Sequence, residues 1–325
     1  MRAAVLRNWG APDELRVESV PDPTPCDGEA LVELRAAALN WHDVIVRQTG
    51  RGAQLPSILG MDGAGVRRDT GEEVVIYPGL NWGDKAAGPG PGFGVLGDAD
   101  DGTYAELIAV PEAMLYPKPA HLSWLEAAAL PCAALTAFRA VFTRAGLQPG
   151  ETVLVLGAGS GVSTFAVLFA AASGAEVYVT SSSTAKIDSV RGLGARGGVL
   201  YTEPGWPAAV AESTGGGVDV IVCGVGSELA DALSCLKTGG RIALFGARAG
   251  QAVGFDAATL YFRQASILGT TLGSPDDFAR MLEFVTAHEL RPVVDRVYPL
   301  DEIAAAHTYL ETGGQLGKVV IDITA

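Results

Sequence analysis

The stretch VLVLGAGSGVSTFAVLFAAASGAEVYVT, residues 153 to 180, puts an apolar strand before a glycine-rich turn, a helical segment after it and a second apolar strand beyond. Gly157, Gly159 and Gly161 let the main chain turn tightly and bring its N–H groups, those of Ser160 and Val162 included, to the positive end of the helix. A pyrophosphate is the natural ligand of such a turn, and strand, turn, helix and strand together predict a dinucleotide site rather than a bland tight turn. The spacing is not G-x-G-x-x-G, since position 162 is Val and Ser163 occupies a later glycine slot. A slightly different seat for the helix is therefore expected.

The end of the second strand decides which nicotinamide fits, because a carboxylate there bonds a ribose 2'-hydroxyl and repels a 2'-phosphate. Here the chain reads Thr180, Ser181, Ser182, Ser183 and then Lys186. Hydroxyls beside an ammonium suit a phosphate, which favours NADP(H) over NAD(H). The serines can also cap the next helix, and the two roles are compatible.

A chain of 325 residues suits two domains, because single cores stop growing below that size. With 48% apolar and 18% charged residues it reads as an ordinary globular protein. Its most apolar runs, AAALPCAALTAF and TFAVLFAAASGA, are shorter than the roughly 20 residues of a membrane span. The opening MRAAVLRNWGAPDEL lacks the long apolar segment of a secretory signal and reads as a first strand. A net charge of -14 repels phosphate backbones and anionic headgroups, so neither nucleic acid nor membrane is an expected partner. Cys26, Cys132, Cys223 and Cys235 form no CxxC pair, and a reduced, cytoplasmic protein is expected.

These residues need a scaffold. Up to about Pro119, short alternating runs such as EALVELRAAAL, GEEVVIYPG and TYAELIAVP lie between Pro and Gly clusters, the mark of an irregular all-β unit. Within it, GPGPGFGVLGDADDG, residues 88 to 102, is a long loop and a candidate lid or site wall. From Glu151 onward TVLVLG, AEVYVT, VDVIVCG, RIALFG and SILGTT alternate with helical segments, which predicts βαβ units and a parallel sheet. SPDDFARMLEFVTAHEL offers Ser274 as helix cap and Pro275 at the first helical position, and GKVVIDI supplies a closing strand.

The motifs ALNWHDV, ILGMDGAGV, LPCAALTAF, VLVLGAGSGVS and GKVVI, in that order, resemble the medium-chain dehydrogenase/reductase family over essentially the whole chain. TSSS followed by a lysine, together with LPCAALTA, is similar to the zinc-independent, quinone oxidoreductase-like branch. The resemblance implies an α/β fold in which a GroES-like catalytic domain, residues 1 to 120 completed by 271 to 325, joins a doubly wound Rossmann domain at 121 to 270. It also implies a homodimer paired through Rossmann edge strands. Against the zinc-bearing pattern the first cysteine is Asn40, the histidine is Met61 and the glutamate is Asp62, which leaves Cys132 alone at a donor position. An amide and a thioether do not replace a thiolate and an imidazole, so no catalytic zinc is expected and Cys132 reads as a buried core thiol, with a cofactor contact as the alternative. Residues 78 to 102 contain no cysteine, so a four-cysteine structural zinc lobe is not expected either.

Without a Lewis acid a simple ketone is a poor hydride acceptor, whereas a quinone or an α,β-unsaturated carbonyl spreads the incoming charge onto a conjugated oxygen. An NADPH-dependent reductase of quinones or enones is the leading expectation. An enoyl-thioester reductase, a non-catalytic NADPH-binding sensor or structural protein, and a metal-dependent alcohol dehydrogenase are the rivals. By the resemblance Asn40 lies beside the nicotinamide and bonds cofactor or substrate oxygen, or else serves only as a turn asparagine. His42 stands where zinc enzymes place a proton-relaying hydroxyl; it is either a proton donor or a loop or cofactor-facing residue without chemistry, in which case the final proton comes from water. RQTGRGAQLPS offers no clear equivalent of the family's occasional tyrosine donor. Thr136, Tyr201, Gly224, Phe245, Gly246, Gly269 and Lys318 complete the expected cofactor-binding set by motif match. Pocket walls are expected from loops 48 to 57, 78 to 102 and 247 to 263.

Overall fold

The alternation in EALVELRAAA becomes a ten-residue strand, Glu29–Ala38, whose residues Ala30, Val32, Leu34, Ala36 and Ala38 are all buried. A computed structural model describes residues 1–98, 100–248, 254 and 256–325, so parts of the expected pocket walls, residues 99, 249–253 and 255, lie outside the described residues. The chain divides into two units, Met1–Leu135 with Gly273–Ala325, and Thr136–Leu272.

The first unit opens with β1 (Arg2–Leu6), β2 (Leu15–Ser19), β3 (Glu29–Ala38), helix α1 (Trp41–Thr49), β4 (Ser57–Ile58), β5 (Asp62–Arg67) and β6 (Glu73–Ile76). It goes on through the short β7 (Gly79–Leu80) and β8 (Gly94–Val95) to β9 (Leu107–Pro111), β10 (Leu115–Pro117), α2 (Trp124–Ala128) and the start of α3 (Pro131–Phe138), a helix in which the division falls. The second unit holds β11 (Thr152–Val155), α4 (Gly161–Ala172), β12 (Glu176–Ser181), α5 (Thr184–Arg191), β13 (Ala195–Leu200) and α6 (Trp206–Ser213). After these come β14 (Val218–Cys223), α7 (Leu229–Ser234), β15 (Leu236–Leu244), α8 (Ala257–Phe262) and β16 (Ser266–Gly269). The chain then returns to the first unit as α9 (Pro275–Ala287), β17 (Val294–Pro299), α10 (Ile303–Thr312) and β18 (Lys318–Asp322).

In the first unit the main sheet runs β10-β6-β5-β3-β18-β17, so the closing GKVVIDI strand lies in its interior. β18 is antiparallel to β3 with Val320 opposite Ala38, a register that brings Lys318 level with Asn40. The units part at Leu135, beyond the change of composition near residue 120, because α2 packs on β3 and β5. Residues 88 to 102 show no regular element beyond β8 among those described. Trp82 is buried edge-on to Phe93, 5.3 Å between ring centroids, and anchors this loop.

The second unit is a six-stranded sheet in the order β13-β12-β11-β14-β15-β16, and every pairing is parallel. Numbered from β11 this is 3-2-1-4-5-6, the dinucleotide-binding arrangement. Val153, Leu154 and Val155 are wholly buried, as central strands covered on both faces must be. The edge strand β13 was not expected, because ARGGVL carries two glycines that weaken strand propensity. Packing explains one of them: a Cβ on Gly198 would lie 2.6 Å from Val179 Cγ2. Ser274 caps α9 as expected, its hydroxyl accepting from Asp277 N–H at 3.1 Å. No helix among the described residues is long and apolar enough to cross a membrane.

His307 on α10 is fully buried and edge-on to Tyr104, and among the described residues neither ring nitrogen has a hydrogen-bond partner. Burial, aided by the Arg47 guanidinium, pushes the imidazole down to about 3. The unfolded chain takes up this proton near the ordinary histidine value of about 6.5, so between those values the unfolded state binds more protons. Stability is predicted to fall as pH drops from about 6.5 toward 3, and His307→Phe should flatten this part of the profile. Urea midpoints measured across that range check the prediction.

Candidate active site

A lysine ammonium lies at the centre of the first unit's polar cluster. Lys318 Nζ donates to Leu39 O at 2.7 Å, Asn40 Oδ1 at 2.7 Å and Asp62 Oδ2 at 2.8 Å. Asn40 Nδ2 donates to the same Asp62 oxygen at 2.9 Å, and the backbone N–H of Cys132 donates to Asp62 Oδ1 at 2.7 Å. The side chains of Lys318 and Asp62 are 3% and 0% exposed, so both charges depend on these partners. The Asn40 amide is gripped at both ends, which fixes its orientation and leaves one amide hydrogen to donate elsewhere. All three Lys318 hydrogens are used here. Lys318, expected among the cofactor-binding residues, thus spends its hydrogens on protein acceptors within the first unit.

These residues do not suit a catalytic zinc. The one carboxylate, Asp62, is held by an ammonium, and Asn40 and Met61 supply an amide and a thioether. Among the described residues no three His, Cys, Asp or Glu side chains are placed to share a metal ion. Cys132 is half-exposed, not the buried core thiol expected, because it sits at the start of α3 with its N–H turned to Asp62.

Asn40 precedes α1, and Asp43 closes the helix start by accepting from Asn40 N–H at 2.7 Å and from the Tyr104 hydroxyl at 2.7 Å. Burial pushes the Asp43 carboxyl up to about 6, although both donors oppose this. His42, one residue earlier, faces a different partner: its Nε2 lies 2.8 Å from Asp98 Oδ1 in the glycine-rich loop. Sequence reasoning missed Tyr104 and Asp98. Neither carries a local signal, since their partners lie 61 and 56 residues away along the chain.

In the second unit the turn after β11 has the conformation that glycine permits, with φ of 72° at Gly157 and 117° at Gly159. Thr180 pins it to β12, its hydroxyl accepting from Gly157 N–H and its carbonyl from Ala158 N–H. Ser160 is the N-cap of α4, accepting from Ser163 N–H at 3.1 Å, and Gly161 and Val162 are the first helical residues. Ser163 is buried and its hydroxyl reaches Leu156 O at 3.3 Å, so the serine in the glycine slot ties helix to strand. A Cβ on Gly159 would lie 2.8 Å from Lys186 Cδ and 3.2 Å from its Nζ, so this lysine lies across the turn. Ser183 caps α5. Ser181, expected at the cofactor, is 2% exposed and its hydroxyl accepts from Ser183 N–H at 3.2 Å; Ser182 is exposed.

The other expected positions lie mostly at carboxyl ends of these strands. Tyr201 follows β13, donates its N–H to Ser181 O and packs on the sheet's apolar core. A Cβ on Gly224 would lie 2.3 Å from the Phe245 ring, and one on Gly246 would lie 3.0 Å from Gly224 O, so these two glycines follow from close packing at the ends of β14 and β15. Gly269 has no such demand, and its carbonyl accepts from Arg144. Thr136 is 7% exposed within α3.

Removing one member of a buried ion pair strands the other. Lys318→Met is predicted to destabilise the first unit by about 3–5 kcal/mol, and adding Asp62→Asn should recover much of the loss because the uncompensated charge goes. Urea unfolding of both variants measures this.

The alcohol dehydrogenase GroES-like domain family matches residues 26–120, and the zinc-binding dehydrogenase family matches residues 161–287. The chain is 35% identical to a zinc-type alcohol dehydrogenase-like protein of Schizosaccharomyces pombe, over 96% of each chain. It is 31% identical to the 2-methylene-furan-3-one reductase of Solanum lycopersicum, over 99% of this chain and 79% of that one. The crystal structure of an NAD-dependent alcohol dehydrogenase superposes with a TM-score of 0.95 at 41% identity, covering 99% of this chain and 100% of that one. Two family matches, a parallel 3-2-1-4-5-6 sheet and a GroES-like unit completed by the C-terminal strands make this chain a member of the medium-chain dehydrogenase/reductase family of oxidoreductases.

Proposed function

We propose that the protein is an NADPH-dependent reductase of quinones or other α,β-unsaturated carbonyls that works without zinc. The observation that carries this reading is Lys318 bound to Asp62 and Asn40, at positions where the zinc-bearing pattern has metal donors. With no Lewis acid to polarise a lone carbonyl, the acceptor must bring its own conjugation. The name of the Solanum lycopersicum relative, 2-methylene-furan-3-one reductase, describes a methylene conjugated to a ring ketone and accords with such a substrate.

The turn at Gly157 and Gly159 fits a dinucleotide: its glycines leave room for a close approach, and Ser160 takes the Ser163 N–H, leaving those of Gly161 and Val162 at the start of α4 for an anion. Bound there, the reduced nicotinamide supplies a hydride to the acceptor carbon. Lys186 and Ser182 are assigned to a 2'-phosphate, and no carboxylate follows β12 to repel it. The remaining amide hydrogen of Asn40 is assigned to the substrate oxygen on which charge collects, and its fixed orientation means little reorganisation accompanies the reaction. His42 is assigned the proton. A homodimer paired through the second sheet accords with β16 at its edge and with Tyr261 and Phe262 exposed on α8, at 58% and 75%.

Steady-state oxidation of NADPH and NADH with a panel of quinones and cyclic enones tests the reading. Wild-type protein should prefer NADPH, and Lys186→Ala should lower kcat/KM for NADPH about tenfold or more while leaving NADH within about twofold. An equal loss with both cofactors, or a wild-type preference for NADH, would count against the phosphate assignment. No turnover of any quinone or enone would remove the reductase reading.

A further inference from the structure

Asp98 reaches His42 from the glycine-rich loop expected as a site wall, and the way that loop is seated shows that the meeting is built in. Gly97, with φ of 80°, and Gly102 lie flat on the Leu59–Gly60 backbone: a Cβ on Gly97 would come within 2.6 Å of Gly60 N, and one on Gly102 within 2.3 Å of Gly60 O. Gly102 N–H donates to Ile58 O at 2.7 Å, and Leu96 N–H to Pro78 O at 3.0 Å. These contacts hold both ends of the segment that presents Asp98. The Asp98 carboxylate also lies against Gly52, where an added Cβ would be 3.1 Å from Oδ2.

The pair is partly buried, with the His42 side chain 32% exposed and that of Asp98 15% exposed. Asp98 takes Nε2 of the imidazole, and among the described residues Nδ1 has no hydrogen-bond partner. A ring held this way keeps its proton on Nε2 when neutral, and when charged it has a single free N–H to give, at Nδ1.

We propose that Asp98 is a positioning residue for the reaction: by binding Nε2 it aims His42 so that Nδ1–H delivers the proton that completes reduction of the conjugated carbonyl. This rests on the reductase reading. After hydride from the reduced nicotinamide has formed a C–H bond at the β carbon, the π electrons rest on the enolate. The enolate electron pair then takes the Nδ1 proton at the α carbon. One N–H bond breaks and one C–H bond forms, Asp98 stays a carboxylate, and the neutral imidazole regains a proton from solvent through its exposed edge.

The charges around the ring support this role. Burial works to lower the His42 pKa, but the Asp98 hydrogen bond and charge, joined by Asp43, outweigh it and hold the imidazole above its ordinary value, with Arg51 opposing. A charged donor is therefore retained toward neutral pH and lost as pH rises through that raised value.

The experiment compares wild type, Asp98→Asn, Asp98→Glu and His42→Gln by two readouts, with circular dichroism confirming each fold. The first is the NMR titration of the His42 ring without cofactor; the second is the pH profile of kcat for NADPH reduction of cyclohex-2-enone. Asp98→Asn should move the titration midpoint and the alkaline fall of kcat together to lower pH, with the NADPH KM unchanged, and Asp98→Glu should restore part of the shift. His42→Gln should lose about a hundredfold in kcat together with the pH dependence. Unmoved titration and profile in Asp98→Asn would overturn the pairing. A moved titration with an unmoved profile would overturn the proton delivery. Wild type that turns over no enone with NADPH would overturn the underlying reading and this role with it.

Discussion

The buried ion pair between Lys318 and Asp62 is the constraint on which the first unit depends. Two charges withdrawn from water are tolerable only when each finds close partners, and here the partners come from β18, β5, the start of α1 and the start of α3. Asp62 accepts three hydrogen bonds and Lys318 donates three. The closing strand of the chain is thereby tied to the opening of the helix that carries His42 and Asp43. Shifting β18 by one residue against β3 would turn the ammonium to the other face of the sheet and leave Asp62 unmatched.

This pair also shapes the proposed chemistry. An ammonium shared among three acceptors is a fixed charge with no open coordination position, so it cannot polarise a substrate oxygen as a metal does. It does immobilise the Asn40 amide. A preoriented donor of modest strength is matched to an oxygen that gains charge through conjugation, where the substrate carries part of the stabilisation itself. His42 has its own carboxylate from a different loop, so in the proposed reaction fixing the oxygen and supplying the proton fall to separate groups.

The second unit was legible in the sequence because each of its features is local. Glycines in the turn after β11, the cap of α4 and the apolar strands all announce themselves within a few residues, whereas β13 was hidden by its glycines and α8 lay within what read as a loop. The residue types at Asn40, Met61 and Asp62 could likewise be read position by position. The ammonium that meets them could not, because Lys318 lies 256 residues from Asp62 and meets it only through the register of β18 on β3. The same holds for Asp98, which looks like one acid among several in a flexible composition until Gly97 and Gly102 are seen pressed onto Gly60. The serines after β12 differ in place: Ser181 is buried and bonds the Ser183 N–H, Ser183 caps α5, and Ser182 is exposed.

The central claim is that this pocket transfers hydride with an ammonium and an amide where metal donors would otherwise stand. Elemental analysis of purified protein, paired with NADPH oxidation by an enone before and after exhaustive chelation, tests it most directly. The account predicts zinc far below one equivalent per chain and a turnover rate unchanged by chelation. One tightly held zinc per chain, whose removal abolishes turnover and whose return restores it, would contradict the account.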